Sequence, residues 1–525
     1  MHGILKRRQR RGAGWATLLL ALGLVACSGN TAAPANATTV PGSSGDGGSG
    51  TPPAVTIDES TPQLPLGHAG RWITDAQGRV VTIHGMNYVK KDPTTLPDKT
   101  QTLDPAADGF GDNDLQWLAD NGFNGLRLGI EDYGVEPQPG IYDDTYIGQV
   151  AAVARLAASH GVYPLIDFHQ DDYSPAFNGN GFPAWMVQDD GLPHQPDVGF
   201  PYSQFTMPAM LRAWDHFWAN DAASDGTGLQ DHFAAAAGHA AAAFAGIEGL
   251  LGYEFLNEPW PGSVYATCIV PLVGCPLFDA TLTQFNHRVA PKIRSADARH
   301  LIFAEPNVLF NDGIPTNIGA LNVDNAGFAF HVYCLLAGAD ASSESPGGAQ
   351  LCPTMEELAF SNADSHVAKT GEALMMTEFG ATPDTEVVSR NTASADQHMV
   401  SWLWWEYREG TGLSATADPP DAKINNAVAD LLVRAYPQIV AGTPTSWSFD
   451  PAGHVFDLAY TTARAGGGSL QADAETVVFL PSRHYPKGYQ VTVTGATVVS
   501  QPGATKLELI NQPGAKTVTL HVEPL

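Results

Sequence analysis

Eight short apolar runs lie between residues 80 and 407 of this chain, and segments of helical period separate most of them. The runs fall at 80–87 (VVTIHGMN), 123–129 (FNGLRLG), 162–169 (VYPLIDFH), 250–257 (LLGYEFLN), 301–305 (LIFAE), 327–332 (GFAFHV), 373–379 (ALMMTEF) and 401–407 (SWLWWEY). Short, nearly continuous apolar runs suit strands buried on both faces of a parallel sheet. Between them, Ile147, Val150, Val153 and Leu156 recur at every third position, and Gly161 closes that helix. The Ala-rich stretch 233–245 and the segment 278–296 are patterned in the same way. Eight strand–helix repeats predict an α/β chain folded as a (β/α)8 TIM barrel with insertions. A doubly wound sheet is the alternative, but no glycine-rich phosphate loop follows the first run.

The ends of the chain differ in character. After about residue 440 helical periodicity vanishes, and β-rich runs such as 475–480, 489–493 and 517–522 alternate with turn residues. These predict a C-terminal antiparallel β-sandwich over 439–525, behind a barrel over 61–438. No row of exposed aromatics is evident there, so a structural module is expected rather than a carbohydrate-binding one. At the other end, Lys6, Arg7, Arg8, Arg10 and Arg11 precede an apolar segment, Trp15 to Ala26, that is too short to span a bilayer stably. It ends in Leu24-Val25-Ala26-Cys27, which resembles a bacterial lipobox. That resemblance implies a leader over 1–27, cleavage before Cys27, lipidation of its thiol, and export to the cell envelope with a membrane anchor. An ordinary secretory signal is the alternative. Residues 28–60, rich in Thr, Ala, Pro, Gly and Ser, cannot bury a core and read as a tether.

Four cysteines remain beyond Cys27, as expected for two disulfides in an exported chain. Of the three possible pairings, Cys268–Cys275 and Cys334–Cys352 are favoured because each closes a single loop. No Cys-x-x-Cys or His-rich spacing points to a metal, and no cofactor is expected. With 27 Lys+Arg against 55 Asp+Glu, the net charge of −28 disfavours nucleic acid and anionic membrane as partners. Oligomeric state has no signal in the sequence.

A short apolar run ends abruptly on a glutamate in each of Tyr253-Glu254-Phe255-Leu256-Asn257-Glu258-Pro259 and Leu374-Met375-Met376-Thr377-Glu378-Phe379-Gly380. In a barrel, the C-terminal strand ends face one pocket. Either glutamate alone would be unremarkable at a strand end. Two carboxyls on separate strands are the minimum for cleaving a glycosidic bond, one holding a proton and one attacking or activating water. The other strand ends add Arg127, Asp167, His169, Asn257, His331, Tyr333, Trp402, Trp404 and Trp405. Polar groups converging in this way are costly in a core but suited to a sugar site.

Arg127, His169, Asn257-Glu258-Pro259, His331-x-Tyr333, Glu378 and the terminal Trp resemble glycoside hydrolase family 5, a family of retaining barrel glycosidases, over roughly residues 65 to 435. The resemblance implies that Glu258 is the general acid/base and Glu378 the nucleophile. It implies that Asn257 binds the sugar 2-hydroxyl, that Arg127 and Tyr333 keep the nucleophile ionised, and that His169 and His331 line the subsite beside the cleaved bond. Trp405 would form the sugar platform, and some of the other indoles must face the barrel wall.

Within that family, Asp167-Phe168-His169-Gln170-Asp171, Gly181-Phe182-Pro183-Ala184-Trp185 and Asn257-Glu258-Pro259-Trp260-Pro261-Gly262-Ser263 are similar to the endoglycoceramidase branch, as are Glu305-Pro306-Asn307-Val308-Leu309-Phe310 and Thr377-Glu378-Phe379-Gly380-Ala381-Thr382. This implies cleavage of the β-glucosyl bond between an intact glycan and ceramide, with an amphiphilic glycolipid as substrate. Asp167 and one of Lys90 and Lys91 would meet the first sugar. The long insertion 170–228 carries Phe177, Phe182, Trp185, Phe200, Trp214, Phe217 and other large apolar residues, which either line a lipid groove or pack the loop onto the barrel. A glucosylceramidase, a steryl-β-glucosidase or a polysaccharide endo-β-glucanase keeps the same mechanism with another aglycone. A non-catalytic glycan-binding lipoprotein would be expected to lack one of the two glutamates.

Overall fold

The computed structural model describes residues 58–91, 104–107, 109–269, 272–334, 346–407 and 425–525. The leader, Cys27 and the tether up to residue 57 lie outside the described residues. Three short strands come first: β1 (Gly67–Ala69), β2 (Trp72–Thr74) and β3 (Val80–Val81). Eight barrel strands follow: β4 (His84–Tyr88), β5 (Gly125–Ile130), β6 (Tyr163–Phe168), β7 (Gly252–Phe255), β8 (Leu301–Ala304), β9 (Ala326–Val332), β10 (Ala373–Phe379) and β11 (Ser401–Trp404). They close in sequence order, β11 returning to pair in parallel with β4. Each predicted run holds one of them, but the first run is split: Val80 and Val81 leave the barrel for an outer sheet.

Parallel strands require crossovers, and helices supply them on the outside. In helix Asp144–Ser159, the Asp143 carboxylate caps the start by accepting from the Thr145 and Tyr146 amides, a cap worth about 1 kcal/mol. Ile147, Val150, Val153, Ala154 and Ala157 form its buried face. Gly161 takes the turn out at φ +73°, a left-handed conformation that favours glycine.

Inside the barrel, side-chain alternation divides each strand by height. Leu165, Phe303, Met375 and Leu403 form an apolar floor, with Leu66 and Ile73 beneath. Two residues further along the same faces stand Asp167, Glu305, Thr377 and Trp405, so the period of two that builds the core also builds a polar ceiling.

The sandwich consists of β12 (Tyr436–Val440), β13 (Thr443–Asp450), β14 (Val455–Thr461), β15 (Glu475–Phe479), β16 (Tyr489–Thr494), β17 (Ala496–Val498), β18 (Lys506–Asn511) and β19 (Thr517–Pro524), together with β1 to β3. One sheet runs β13-β14-β19-β16 and the other β1-β2-β3-β12-β15-β18-β17. The N-terminal strands join through Ile439 opposite Val81 and Val440 opposite Val80. Arg79 clasps this junction: its buried guanidinium donates to Asp75 at 2.8 Å and to the Glu59 and Thr61 carbonyls at 2.6 and 2.8 Å.

Both local disulfides form, Cys268–Cys275 and Cys334–Cys352. In the 170–228 insertion, Phe177, Phe182, Met186, Met210, Trp214 and Phe217 are buried in the main core, whereas Phe200 is 55% exposed. Most of the apolar load therefore packs the insertion onto the barrel instead of lining a groove. Among the described residues, no helix is long and apolar enough to cross a membrane.

Candidate active site

Arg127 is the hub of the polar ceiling. It points to the barrel axis from β5, with glycines two residues to either side. A Cβ at Gly129 would come 2.5 Å from Val89. The fully buried guanidinium donates through Nη1 to Glu378 Oε1 at 2.5 Å and Asn87 Oδ1 at 3.1 Å. Through Nη2 it reaches Asn257 Oδ1 at 2.8 Å, Glu254 and Asp167 at 2.9 Å, and Glu305 at 3.3 Å. A charge buried this deeply survives only with such pairing.

Local distortions deliver the two candidate catalytic carboxyls. The β9–β10 register slips between Met376 and Glu378, a bulge that sets two residues of β10 against one of β9. It brings Glu378 into the pocket next to the inward-facing Thr377. After β7, Leu256 and Glu258 adopt φ of 65° and 47°, conformations that cost a non-glycine residue about 1–3 kcal/mol and cluster at functional sites. The turn is held by Gln170, whose amide donates to the Asn257 and Glu258 carbonyls at 2.8 and 3.1 Å, and by Glu305, which accepts the Glu258 N–H at 3.1 Å.

The environments of the pair differ. Glu258 Oε1 accepts from Asn311 Nδ2 at 2.7 Å and from His331 Nδ1 at 2.9 Å. Glu378 Oε1 takes Arg127, and its Oε2 accepts the Tyr333 hydroxyl at 2.9 Å. Burial pushes the Glu378 carboxyl above the usual range; His331 and Arg127 draw it back, and the neighbouring Glu258 pushes it up. Burial opposes charge on His331 as well, but Glu305 and Glu378 raise it well above an ordinary histidine. Oxygens of Glu258 and Glu378 lie within 4.8 Å of each other. An inverting pair stands roughly 6.5–9.5 Å apart to admit a water and a retaining pair roughly 5–5.5 Å, so this close approach favours the retaining arrangement.

A rim surrounds the pair. Trp402 and Trp404 are wholly buried, and Trp402 stacks on His84 at 4.2 Å. Trp405 is half-buried, with the His169 ring stacked at 5.4 Å and the Lys91 ammonium 4.1 Å from its centroid. Lys91 also pairs with Asp171, which lies 3.3 Å from His169 Nε2 and accepts from Asn180 at 2.9 Å. Against burial and the repulsion of Lys91, Asp167 and Asp171 push the His169 imidazole up to about 9.

Of the residues expected from sequence, Arg127, Asp167, His169, Asn257, Glu258, His331, Tyr333, Glu378 and Trp405 come together here. Of the two lysines, Lys91 and not Lys90 is brought against Trp405. Asp167, expected at the first sugar, is fully buried, with one oxygen on Arg127 and the other 2.6 Å from His169 Nδ1. It supports His169 from below. Asn257 spends Oδ1 on Arg127 and donates to the Gln170 carbonyl at 3.0 Å.

Sequence reasoning did not single out Asn87, Asp171, Glu254, Glu305 or Asn311. An acid inside the apolar run around Glu254, and another closing the run at Glu305, were the available signals; Asn311, in a 3₁₀ turn after β8, left none. Two clusters, Glu254–Glu305–His331 and Glu258–His331–Glu378, have metal-ligand chemistry within 4.8 Å. Arg127 already places a cation against Glu254, Glu305 and Glu378, so the clusters read as one ion-pair network.

Comparison with known proteins agrees with this geometry. The pattern of cellulase (glycosyl hydrolase family 5) matches residues 99–410, and that of the glycoside hydrolase family 5 C-terminal domain matches 434–522. The chain is 33% identical over 471 residues to endoglycoceramidase I of Rhodococcus hoagii, covering 88% of this chain and 89% of that protein. It is 27% identical over 487 residues to an endoglycoceramidase of Hydra vulgaris, covering 86% and 88% respectively. Among solved structures it resembles endo-glycoceramidase II from Rhodococcus sp. in its ganglioside GM3 complex, with TM-score 0.71 and 26% identity over 86% of this chain and 99% of that one. The chain belongs to glycoside hydrolase family 5, within its endoglycoceramidase-like branch, and is a glycoside hydrolase.

Proposed function

We propose that this enzyme is a retaining, endo-acting glycosidase that cleaves the β-glucosyl bond between an intact glycan and ceramide. Glu258 serves as acid/base and Glu378 as nucleophile. The observation that carries this reading is the pair of carboxyl oxygens within 4.8 Å, each carboxyl in a different hydrogen-bond environment. Because Oε1 of Glu258 receives two donors, its proton belongs on Oε2, free to meet the leaving oxygen. A Glu378 oxygen attacks the anomeric carbon as the bond to the ceramide oxygen breaks, and Glu258 protonates that oxygen. Water then gives a proton to Glu258, its oxygen attacks the anomeric carbon, and Glu378 is released. Two inversions leave the β-configuration. While Glu258 holds its proton, it no longer repels charge on Glu378. Trp405 supplies a face for the first sugar, and Lys91 and His169 supply donors beside it.

The ceramide aglycone is supported by the likeness to endoglycoceramidases along nearly the whole chain. The test is to incubate the enzyme with a ganglioside, lactosylceramide, glucosylceramide and a soluble β-glucan, and to identify products by mass spectrometry. Intact oligosaccharide plus free ceramide is expected. Release of glucose from glucosylceramide alone, or of glucan fragments with glycolipid untouched, would replace the aglycone assignment. We also propose export and tethering through a lipid at Cys27. Palmitate labelling lost in Cys27→Ser is the expected result, and unlabelled protein would leave an ordinary secretory signal.

A further inference from the structure

Beneath the candidate catalytic carboxyls lies a second carboxyl pair that the reaction above does not use. Glu254 in β7 and Glu305 just after β8 are 0% and 3% exposed. One oxygen of each lies within 4.8 Å of the other and of a His331 nitrogen. Two carboxylates buried this close repel each other unless one carries a proton. Their surroundings decide which one. Glu254 Oε1 accepts from Arg127 at 2.9 Å and from the Thr377 hydroxyl at 3.1 Å, a setting built for negative charge. Its Oε2 is buried without an ordinary donor, and a proton on Glu305 would supply one. Glu305 has a longer contact to Arg127, 3.3 Å, and accepts the Glu258 amide.

The electrostatics favour the same division. Burial raises both groups, but the Arg127 guanidinium and the nearby His331 hold Glu254 well below the carboxylate range. Glu305 is pushed well above it, by burial and by the charge on Glu254, in spite of His331 and Arg127. His331 bridges the two layers, with Nδ1 on Glu258 at 2.9 Å and Nε2 3.5 Å from Glu305 and 3.8 Å from Glu254. Across the cluster, Arg127, His331, His169 and Lys91 face Asp167, Asp171, Glu254, Glu258, Glu305 and Glu378. The carboxyls outnumber the cations, so a buried site must retain protons.

We propose that Glu305 is a positioning residue that stays neutral through the reaction, anchoring the strained Glu258 turn by its amide while satisfying Glu254. This leaves the His331 charge to the catalytic pair. The proposal rests on Glu258 being the acid/base.

The test uses the full chain with two substrates, a glycosphingolipid with its poor alkoxide leaving group and a dinitrophenyl β-lactoside that needs no acid. Glu305→Ala should lower kcat/KM on the glycolipid by about 10–100-fold, part of the 10²–10⁴ an aligned acid supplies, and on the aryl lactoside by less than about threefold. Glu305→Gln, a neutral isostere able to accept from Glu258 and donate to Glu254, should restore most of the loss and keep the wild-type pH profile. A limb displaced by about one pH unit or more in Glu305→Gln would mean that Glu305 is charged, and would overturn the proposal. So would equal loss on both substrates in a folded Glu305→Ala. If Glu305→Ala does not fold, the Glu305→Gln profile decides alone. Glu258→Ala, run alongside, separates the two assignments: absence of leaving-group dependence there removes the acid/base reading itself.

Discussion

Asn311 offers a sharp test of how the acid is held. Its Nδ2 is one of two donors to Glu258 Oε1, at 2.7 Å, the other being His331 Nδ1 at 2.9 Å. Replacing Asn311 by Leu keeps the approximate volume and removes one donor. A hydrogen bond to a neutral acceptor nets about 0.5–1.5 kcal/mol, and one to a charged group about 1.5–3 kcal/mol. In the first step Glu258 passes from neutral acid to carboxylate. The free enzyme already has the weaker bond, so a transition state with most of the charge on Glu258 forfeits the difference, about 1 kcal/mol, or roughly fivefold in rate. The loss should follow the leaving group, because only a poor one draws charge onto Glu258. The assay is kcat/KM for lactosylceramide and for a dinitrophenyl β-lactoside, since kcat/KM reports steps through glycosylation. Roughly fivefold loss on the first and under about twofold on the second is expected. Equal losses, or a larger one on the aryl substrate, would refute the claim that Asn311 stabilises charge developing on Glu258.

Other outcomes are equally specific. Lys91→Met should lower kcat/KM on glycolipid by about 10-fold or more, because it removes the ammonium over Trp405 and leaves Asp171 short of a partner; a larger effect from Lys90→Met would reassign the lysine. Arg79→Met takes the cation from the buried Asp75 carboxylate, leaving it only backbone donors, and should destabilise the protein by about 2–4 kcal/mol in denaturant titration; a loss under about 1 kcal/mol would show that the clasp does not hold the N-terminal strands. The His169 imidazole, at about 9 in the fold, lies above the roughly 6.5 of an unfolded chain. Its stabilisation is therefore complete below about 6.5 and disappears as pH rises through 9. Melting measured at pH 7 and pH 10 should show a smaller alkaline loss in His169→Gln than in the wild type; identical losses would place the alkaline weakness elsewhere.

The barrel was legible because strands buried on both faces leave apolar runs that survive any detail of packing. All eight runs contain barrel strands, and Glu258 and Glu378 were found because each lies at a strand end and matches one of the two glutamates of the family resembled, whereas Glu305 ends its run without such a match. What stayed hidden depends on partners distant in sequence. Nothing local in Gly67–Val81 tells that these strands complete a sandwich whose other members lie beyond residue 435. Glu254 and Glu305 are legible only once Arg127 and His331 are known to face them. Asp167 was placed at the sugar because it lies near a strand end. Its side chain, however, shares the inward face of Leu165 and stands one layer lower than His169, where it meets Arg127. Lys90 and Lys91 are adjacent in a non-strand segment, where no periodicity separates them. The aromatic insertion carried a signal that burial, not lipid, explains.

A retaining mechanism requires a covalent link between sugar and Glu378. A 2-deoxy-2-fluoro β-lactosyl fluoride should react with the enzyme and accumulate, because the 2-fluorine slows both steps while the good fluoride leaving group keeps the first one fast enough to observe. Intact mass should rise by one 2-deoxy-2-fluorolactosyl residue, and peptide mapping should place it on Glu378. Proton NMR of the early product from a normal substrate should show the β-anomer. A label on Glu258, or no label together with an α-anomeric product, would contradict the retaining assignment.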